Sequence, residues 1–152
     1  MINVNDLEQQ TVKDLAWLGG FWDADGHISV VKRRSYLVAV AACTNTNKKL
    51  VDNVTRILDI AEIPYCIEYQ DRGERTNAKP AWSVRVEGKV RCLPFLQMIQ
   101  PYLVGKLEQC NLVIQHCQLP KGNGPKAGER TDGYWEIKDR VQALNKRGRV
   151  RD

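Results

Sequence analysis

The order in which helical and strand-like stretches follow one another most constrains the fold of this chain. Residues 11–26 have the capping pattern and apolar content of a helix that stops at a glycine. Apolar residues recur at helical spacing over 47–60. Each of these helices is followed by a pair of stretches with strand-like composition or alternation, namely residues 27–36 and 37–43, then 64–71 and 81–87. The order predicts two β-hairpins, each preceded by a helix.

The rest of the chain, after residue 87, is mainly helical in pattern. The spacing predicts helices at 92–100, 105–118 and 134–146, and the chain ends in a basic tail, 146–152, that we expect to be mobile. The whole order predicts an α+β fold with an αββαββα core, a four-stranded antiparallel sheet and additional C-terminal helices. Because a domain usually contains about 100–200 residues, residues 1–152 are expected to form a single domain.

Charge is distributed unevenly along the sequence. The net charge is +5, from 23 lysines and arginines against 18 aspartates and glutamates. Residues 1–26 carry five acids and one base, whereas 27–91 carry twelve bases and seven acids and 121–152 carry nine bases and five acids. This distribution favours a surface that binds a polyanion, with a carboxylate site beside it. Random clustering on an ordinary protein surface is the alternative.

Several protein classes are disfavoured by what the sequence lacks. No apolar stretch approaches the roughly 20 residues of a membrane helix, and no signal peptide begins the chain. It contains neither a phosphate-binding loop ending in G-K-[ST] nor a G-x-S-x-G nucleophile motif. The five cysteines are scattered without a C-x-x-C pair, as is typical of reduced thiols. We therefore expect an intracellular protein that is neither secreted nor bound to a membrane.

The end of the first predicted helix combines small residues with two carboxylates. Ala16, Gly20 and Ala24 recur every four residues, so they line one side of the helix and would let a second helix approach closely. Asp23 and Asp25 lie at the C-terminal end, where the helix dipole disfavours negative charge. A bound divalent metal ion would compensate that charge. The alternative is that Asp25 simply begins a turn.

The nine residues 18–26, LGGFWDADG, resemble the signature of the LAGLIDADG homing endonucleases. Six of the nine positions are identical, and the other three keep a small or apolar residue. The predicted order of elements is also similar to the core of that family. The resemblance implies a site-specific endonuclease that hydrolyses phosphodiester bonds in both strands of a long pseudo-palindromic DNA target. It further implies dependence on Mg²⁺, with Mn²⁺ or Ca²⁺ as ions that could occupy the same site.

The resemblance also assigns catalytic residues. It implies that Asp25 binds the metal ion and that the carbonyl of Ala24 assists. Lys106, which follows a Q-P-Y-L sequence, corresponds to a lysine near the scissile phosphates. Thr44 and Lys48, where the second predicted helix begins, are the best matches to polar residues that line the same site, although family members often have glutamine and arginine there.

One copy of the motif implies a dimer. No second D-x-D-G occurs in the chain, and one site per chain is too little to cut two strands. A two-fold homodimer would bring two copies of Asp25 together and would match a pseudo-palindromic target. The residues expected at the dimer interface are Ala16, Gly19, Gly20 and Asp23. For Asp23, supporting the helix end is the alternative.

Alternation along the four predicted strands indicates which side chains would face DNA in the major groove. The expected DNA-facing residues are Ser29, Val31 and Arg33 on the first strand, Ala39 and Ala41 on the second, Glu68, Gln70 and Arg72 on the third, and Ser83, Arg85 and Glu87 on the fourth. Arg34 and Arg75 are expected to contact phosphates or to be mobile surface charges. The alternative for Glu68 and Glu87 is that they only keep a sheet face soluble.

Two other functions remain open on the same scaffold. The chain could be a maturase that binds its intron RNA, or a DNA-binding regulator that does not cleave. A structural module is a third interpretation, which would leave the motif, the small-residue stripe and the basic strands as coincidences.

Overall fold

The computed structural model describes residues 4–34, 36–71, 79–119 and 133–147. Helices and strands follow the predicted order, and the α+β class is confirmed. The elements are α1 Val4–Asp25, β1 Gly26–Arg33, β2 Tyr36–Asn45, α2 Lys48–Ile60, β3 Cys66–Gln70, β4 Ala81–Glu87, α3 Lys89–Ile99, a 3₁₀ turn Gln100–Tyr102, α4 Leu107–Gln118 and α5 Tyr134–Arg147. Within these ranges, no helix has the length and apolar content needed to cross a membrane.

The four strands form one antiparallel sheet in the order β1-β2-β4-β3. The first hairpin turns at Arg34, whose φ of 50° lies in the left-handed region. The second hairpin joins the first through β4, because β2 pairs with β4 from Val40↔Glu87 to Asn45↔Trp82. The basic tail from residue 148 onward and the loop residues 72–78 lie outside the described residues.

One apolar cluster joins the helices to one face of the sheet. Trp22 of α1 packs edge-on against Phe95 of α3, with ring centroids 4.8 Å apart, and both side chains are fully buried. Strand side chains in this cluster come from alternate positions, such as Ile28 and Val30 of β1 and Val84 of β4. The opposite face, which we call the outer face, contributes none of the cluster's described side chains.

The prediction that Ala39 and Ala41 face DNA is wrong. The register pairs Ala39 with Val30 and Ala41 with Ile28, so both alanines lie on the core face, and both are fully buried. Their position follows from alternation with Leu37, which is itself buried, and not from the small size of alanine. The residues of β2 on the outer face are Val38, Val40, Ala42 and Thr44.

Candidate active site and nucleic-acid interface

The joint between α1 and β1 has little freedom. The helix ends at Asp25, and β1 begins at the next residue, Gly26. A Cβ at Gly26 would overlap the ring of Trp22, so only glycine fits there. The indole Nε1 of Trp22 also donates to the carbonyl of His27, at 3.3 Å. Trp22, the largest buried side chain of α1, thus fixes the end of the helix, where Asp23 and Asp25 lie.

Asp23 is engaged within its own chain. Its carboxylate accepts hydrogen bonds from the backbone N–H of Val104 at 2.7 Å and of Lys106 at 2.9 Å. The ammonium of Lys106 in turn donates to the main-chain carbonyl of Asp23. A cation therefore lies at the C-terminal end of α1, where it is favourable. Both carboxylate oxygens of Asp23 thus hold the segment before α4, which favours the alternative role, support of the helix end. Its place at a dimer interface stays a prediction.

Asp25, by contrast, is exposed, and it is oriented by a residue that the sequence analysis missed. Asn45, the last residue of β2, donates from Nδ2 to Asp25 Oδ2 at 2.9 Å. The other end of the same amide, Oδ1 of Asn45, accepts from the backbone N–H of Asn47 at 2.7 Å. Asn47 is the N-cap of α2, and its side chain accepts from the N–H of Lys49. A chain of two asparagines thus connects the motif carboxylate to the start of α2.

Thr44 and Lys48, which are also predicted catalytic residues, have different partners in the structure. The hydroxyl of Thr44 donates to Ser83 Oγ at 3.0 Å, so Thr44 lies on the outer face next to Asn45. Lys48 forms an ion pair with Asp52, one turn further along α2, and its ammonium is 6.0 Å from the ring centroid of Trp82. Lys48 therefore has partners of its own and no described contact with Asp25.

The small residues of α1 differ in exposure. Ala16, Gly20 and Ala24 are exposed, and a Cβ at Gly20 would meet nothing within 4 Å. Gly19 is buried, and a Cβ there would come within 2.5 Å of the Cβ of Tyr102. The prediction of Gly19 at a dimer interface is therefore wrong, since α1 packs on the 3₁₀ turn of its own chain at that residue. Ala16, Gly20 and Ala24 leave one side of α1 accessible to a second helix.

The outer face contains a network of charged side chains that connects β1 with β4. Both oxygens of Glu87 accept from Arg33, at 2.8 Å from Nη1 and 2.7 Å from Nη2. The Nη1 of Arg85 lies 3.6 Å from Glu87 Oε1. The side chains are 43%, 28% and 37% exposed for Arg33, Glu87 and Arg85, so the network is open to solvent. It crosses β2, which separates β1 from β4.

Most other predicted DNA-facing residues that are described lie on the outer face, with different exposure. Ser29 and Ser83 are only 3% and 2% exposed, so little of either side chain is accessible to a ligand. Val31 is half-buried, Glu68 is exposed and Gln70 is half-buried. Arg72 and Arg75 lie outside the described residues. Arg34 is exposed and, together with Arg33, Glu87, Lys89 and Arg91, lines a groove of about 550 Å³ beside the first hairpin turn.

The buried thiols and imidazole are poor candidates for catalysis. Burial raises the pKa of the Cys43 thiol to about 12 and that of Cys110 to about 12. His116 is fully buried, and neither ring nitrogen has a hydrogen-bond partner among the described residues. Burial first, and the charge of Lys89 second, lower the pKa of His116 to about 4. Exposed Asp25 is therefore the stronger candidate for a catalytic group.

The possible metal ligands are oxygen atoms. In the described ranges no group of three or more His, Cys, Asp or Glu side chains could hold a metal ion. A single chain offers the carboxylate of Asp25 and the carbonyl of Ala24 where α1 ends. Mg²⁺ is commonly bound by one or two carboxylates together with waters and substrate phosphates. The donor type therefore fits Mg²⁺, and the small number of donors fits a site completed by a second chain and by DNA.

Comparison with known proteins identifies the family. The family model described as a LAGLIDADG-like domain matches residues 13–100, which is more than half of the chain. The chain belongs to the LAGLIDADG family, which confirms the resemblance drawn from residues 18–26. A search of curated proteins finds no match.

The fold is also similar to solved structures of the homing endonuclease I-CvuI. One, a complex with its target in the presence of 2 mM Ca, has a TM-score of 0.66 at 23% identity and covers 90% of this chain and 83% of the other. Another, a complex with the I-CreI target in the presence of 2 mM Mg in which the DNA is not cleaved, has a TM-score of 0.64 at 24% identity. It covers 89% of this chain and 83% of the other. At this identity the likeness establishes the shared fold.

Proposed function

We propose that this protein is a metal-dependent, site-specific DNA endonuclease that acts as a homodimer on a long pseudo-palindromic target. The observation that carries the proposal is the position of Asp25. It is an exposed carboxylate at the end of the motif helix, where Asn45 at the end of β2 orients it. Membership of the LAGLIDADG family and the DNA complexes of I-CvuI support the same function.

The chemistry requires activation of water and stabilisation of negative charge on the phosphate and the leaving oxygen. Asp25 and the carbonyl of Ala24 would hold Mg²⁺, which supplies an activated water and neutralises the leaving oxygen. Asn45 keeps the carboxylate of Asp25 in one orientation by donating to one of its oxygens. Lys106, which is fixed at the end of α1 by Asp23, would place positive charge beside the scissile phosphate.

A homodimer follows from the number of sites and from the open stripe on α1. One Asp25 per chain serves one strand, so cutting both strands requires two chains. Ala16, Gly20 and Ala24 are exposed on one side of α1, where a second copy of the helix could approach closely. This arrangement would place two copies of Asp25 at the base of the helix pair, facing the centre of the DNA target.

The test is selection of a cleaved sequence from a random DNA library with Mg²⁺. The wild-type protein should cut one family of pseudo-palindromic sites. Asp25→Asn should bind the selected site but cut it at least about a hundredfold more slowly, since loss of even an outer partner of a metal ligand costs about 10–100-fold. Glu136→Gln, which removes a carboxylate from an exposed position of α5, is the control and should keep cleavage. Absence of cutting together with tight RNA binding would instead favour the maturase, and binding of one DNA site without cutting would favour a regulator.

A further inference from the structure

Glu87 is the residue at which two arginines of the outer face meet. It belongs to β4, as does Arg85, whereas Arg33 belongs to β1 on the far side of β2. The contact with Arg33 is bidentate, with one guanidinium nitrogen on each carboxylate oxygen. Arg85 adds a third, looser contact at 3.6 Å. A single carboxylate thus connects two strands that do not pair with each other.

The exposure of this network argues that its main effect is on geometry. Surface ion pairs of this kind contribute little to folding stability, because water screens them and ordering the side chains costs entropy. A bidentate contact does, however, fix the plane and direction of a guanidinium group. Long arginine side chains otherwise lose considerable rotamer freedom when they bind a partner. An arginine that is already ordered loses less on binding.

Arg33 and Arg85 have more N–H donors than their contacts with Glu87 use. A guanidinium group has five N–H donors, of which Arg33 spends two on Glu87. Recognition of guanine in the major groove needs two, directed at O6 and N7. Arg85 makes only the 3.6 Å contact with Glu87 through Nη1. Its Nε is buried and has no hydrogen-bond partner among the described residues. Arg33 therefore keeps three N–H donors for a base, and Arg85 can offer those of its Nη groups, because its buried Nε cannot reach DNA.

We propose that Glu87 is a positioning residue for base recognition, which holds Arg33 and Arg85 in the orientation in which each reads a guanine of the DNA half-site. This inference rests on the proposed function, because it requires that the outer face lies on DNA. It also explains why a negatively charged side chain lies on a surface that must approach negatively charged phosphates. Removing Glu87 would add positive charge and favour DNA of any sequence, at the cost of discrimination.

The experiment measures discrimination position by position on the selected site, with each base pair replaced in turn. Arg33→Lys and Arg85→Lys first identify the base pair that each arginine reads, since lysine lacks the planar guanidinium group. Glu87→Gln should reduce discrimination at these two base pairs by about tenfold, within the range of a bidentate contact. Affinity for unrelated DNA at low salt should stay the same or rise. Glu136→Gln, which removes the same charge from α5, is the matched control and should leave the profile unchanged.

A double substitution separates positioning from other roles. If Glu87 acts through Arg33, adding Glu87→Gln to Arg33→Lys should cause no further loss at the base pair that Arg33 reads. A further loss there would overturn the inference. A new change confined to a cytosine position would also overturn it, because Glu87 would then read a base directly. A uniform loss of affinity for all sequences would assign Glu87 a structural role. If the wild-type protein binds no DNA at all, the proposed function itself fails, whatever the variant does.

Discussion

At the residue scale, two aspartates separated by one residue have different tasks. Asp23 accepts two backbone N–H groups and is half-buried, whereas Asp25 is exposed and contacts Asn45. The sequence shows two equivalent carboxylates, and their difference arises from which loop reaches each one. Asn45 lies two residues beyond the predicted end of the second strand, and a lone asparagine there gives no signal of its partner. Contacts between distant segments thus distinguish the carboxylate that holds a neighbouring segment from the one that stays exposed.

The buried imidazole of His116 makes stability depend on pH. Its pKa is lowered from 6.5 to about 4 by burial and, to a lesser extent, by Lys89. The unfolded chain therefore takes up a proton that the folded chain does not, so the free energy of unfolding should fall as the pH drops from about 6.5 to about 4. The full effect is at most about 3 kcal/mol, at about 1.4 kcal/mol for each pKa unit. Urea unfolding at several pH values measures it.

His116→Phe keeps a ring beside Tyr134 and removes the titrating group. This variant should show a smaller slope of unfolding free energy against pH in the acidic range, whatever its absolute stability. The exposed His27, changed to Gln, serves as the comparison. An equal slope in wild type and His116→Phe would mean that other groups cause the acid sensitivity.

At the element scale, the order of helices and strands follows from periodicity, but helix ends and strand faces do not follow as well. α1 was expected to start near Thr11 and starts at Val4, because a capping pattern does not end a helix that can continue before it. Ala39 and Ala41 do not indicate which side of β2 faces outward, because alanine suits either face of a sheet. Leu37 and Cys43, at the ends of the same alternation, give the correct side once they are taken as core residues. Apolar residues at strand ends are thus more informative than small residues in the middle.

The two adjacent glycines of α1 should respond in opposite ways to the same change. Gly19→Ala places a Cβ 2.5 Å from that of Tyr102, so the chain must shift. We expect a loss of about 1–3 kcal/mol in unfolding free energy, as for other overpacked sites. Gly20→Ala meets nothing within 4 Å and should stabilise the helix by up to about 1 kcal/mol. Thermal unfolding at concentrations where sedimentation detects only monomer makes the comparison. Similar stability of both variants would contradict the packing of α1 on the 3₁₀ turn.

At the scale of the whole molecule, the sequence predicts the fold class and the place of the motif, and the contacts that assemble the site come from the three-dimensional structure. The nine residues of the motif indicate the family because six of them are identical to its signature. The partners of these residues, Asn45, Val104 and Lys106, are far away in the chain. No local pattern predicts such contacts, because they depend on how the sheet and α4 pack against α1.

The proposed dimer can be tested through the same stripe. Gly20→Leu would put a large side chain on the exposed side of α1, where a second helix should approach. We expect a shift from dimer to monomer in sedimentation, together with loss of double-strand cleavage. Gln97→Leu, at an exposed position on α3, is the control and should leave the dimer intact. A Gly20→Leu protein that stays dimeric would mean that the chains meet through another surface.

The contact between Asp23 and Lys106 has a consequence for the order of events during synthesis. A ribosome makes α1 and the whole sheet before it reaches Val104, and only then can the carboxylate of Asp23 receive its two N–H donors. The end of the motif helix thus acquires its final surroundings when more than two thirds of the chain exists. A nascent chain that stops before Val104 therefore contains the motif without the two N–H donors that bind Asp23.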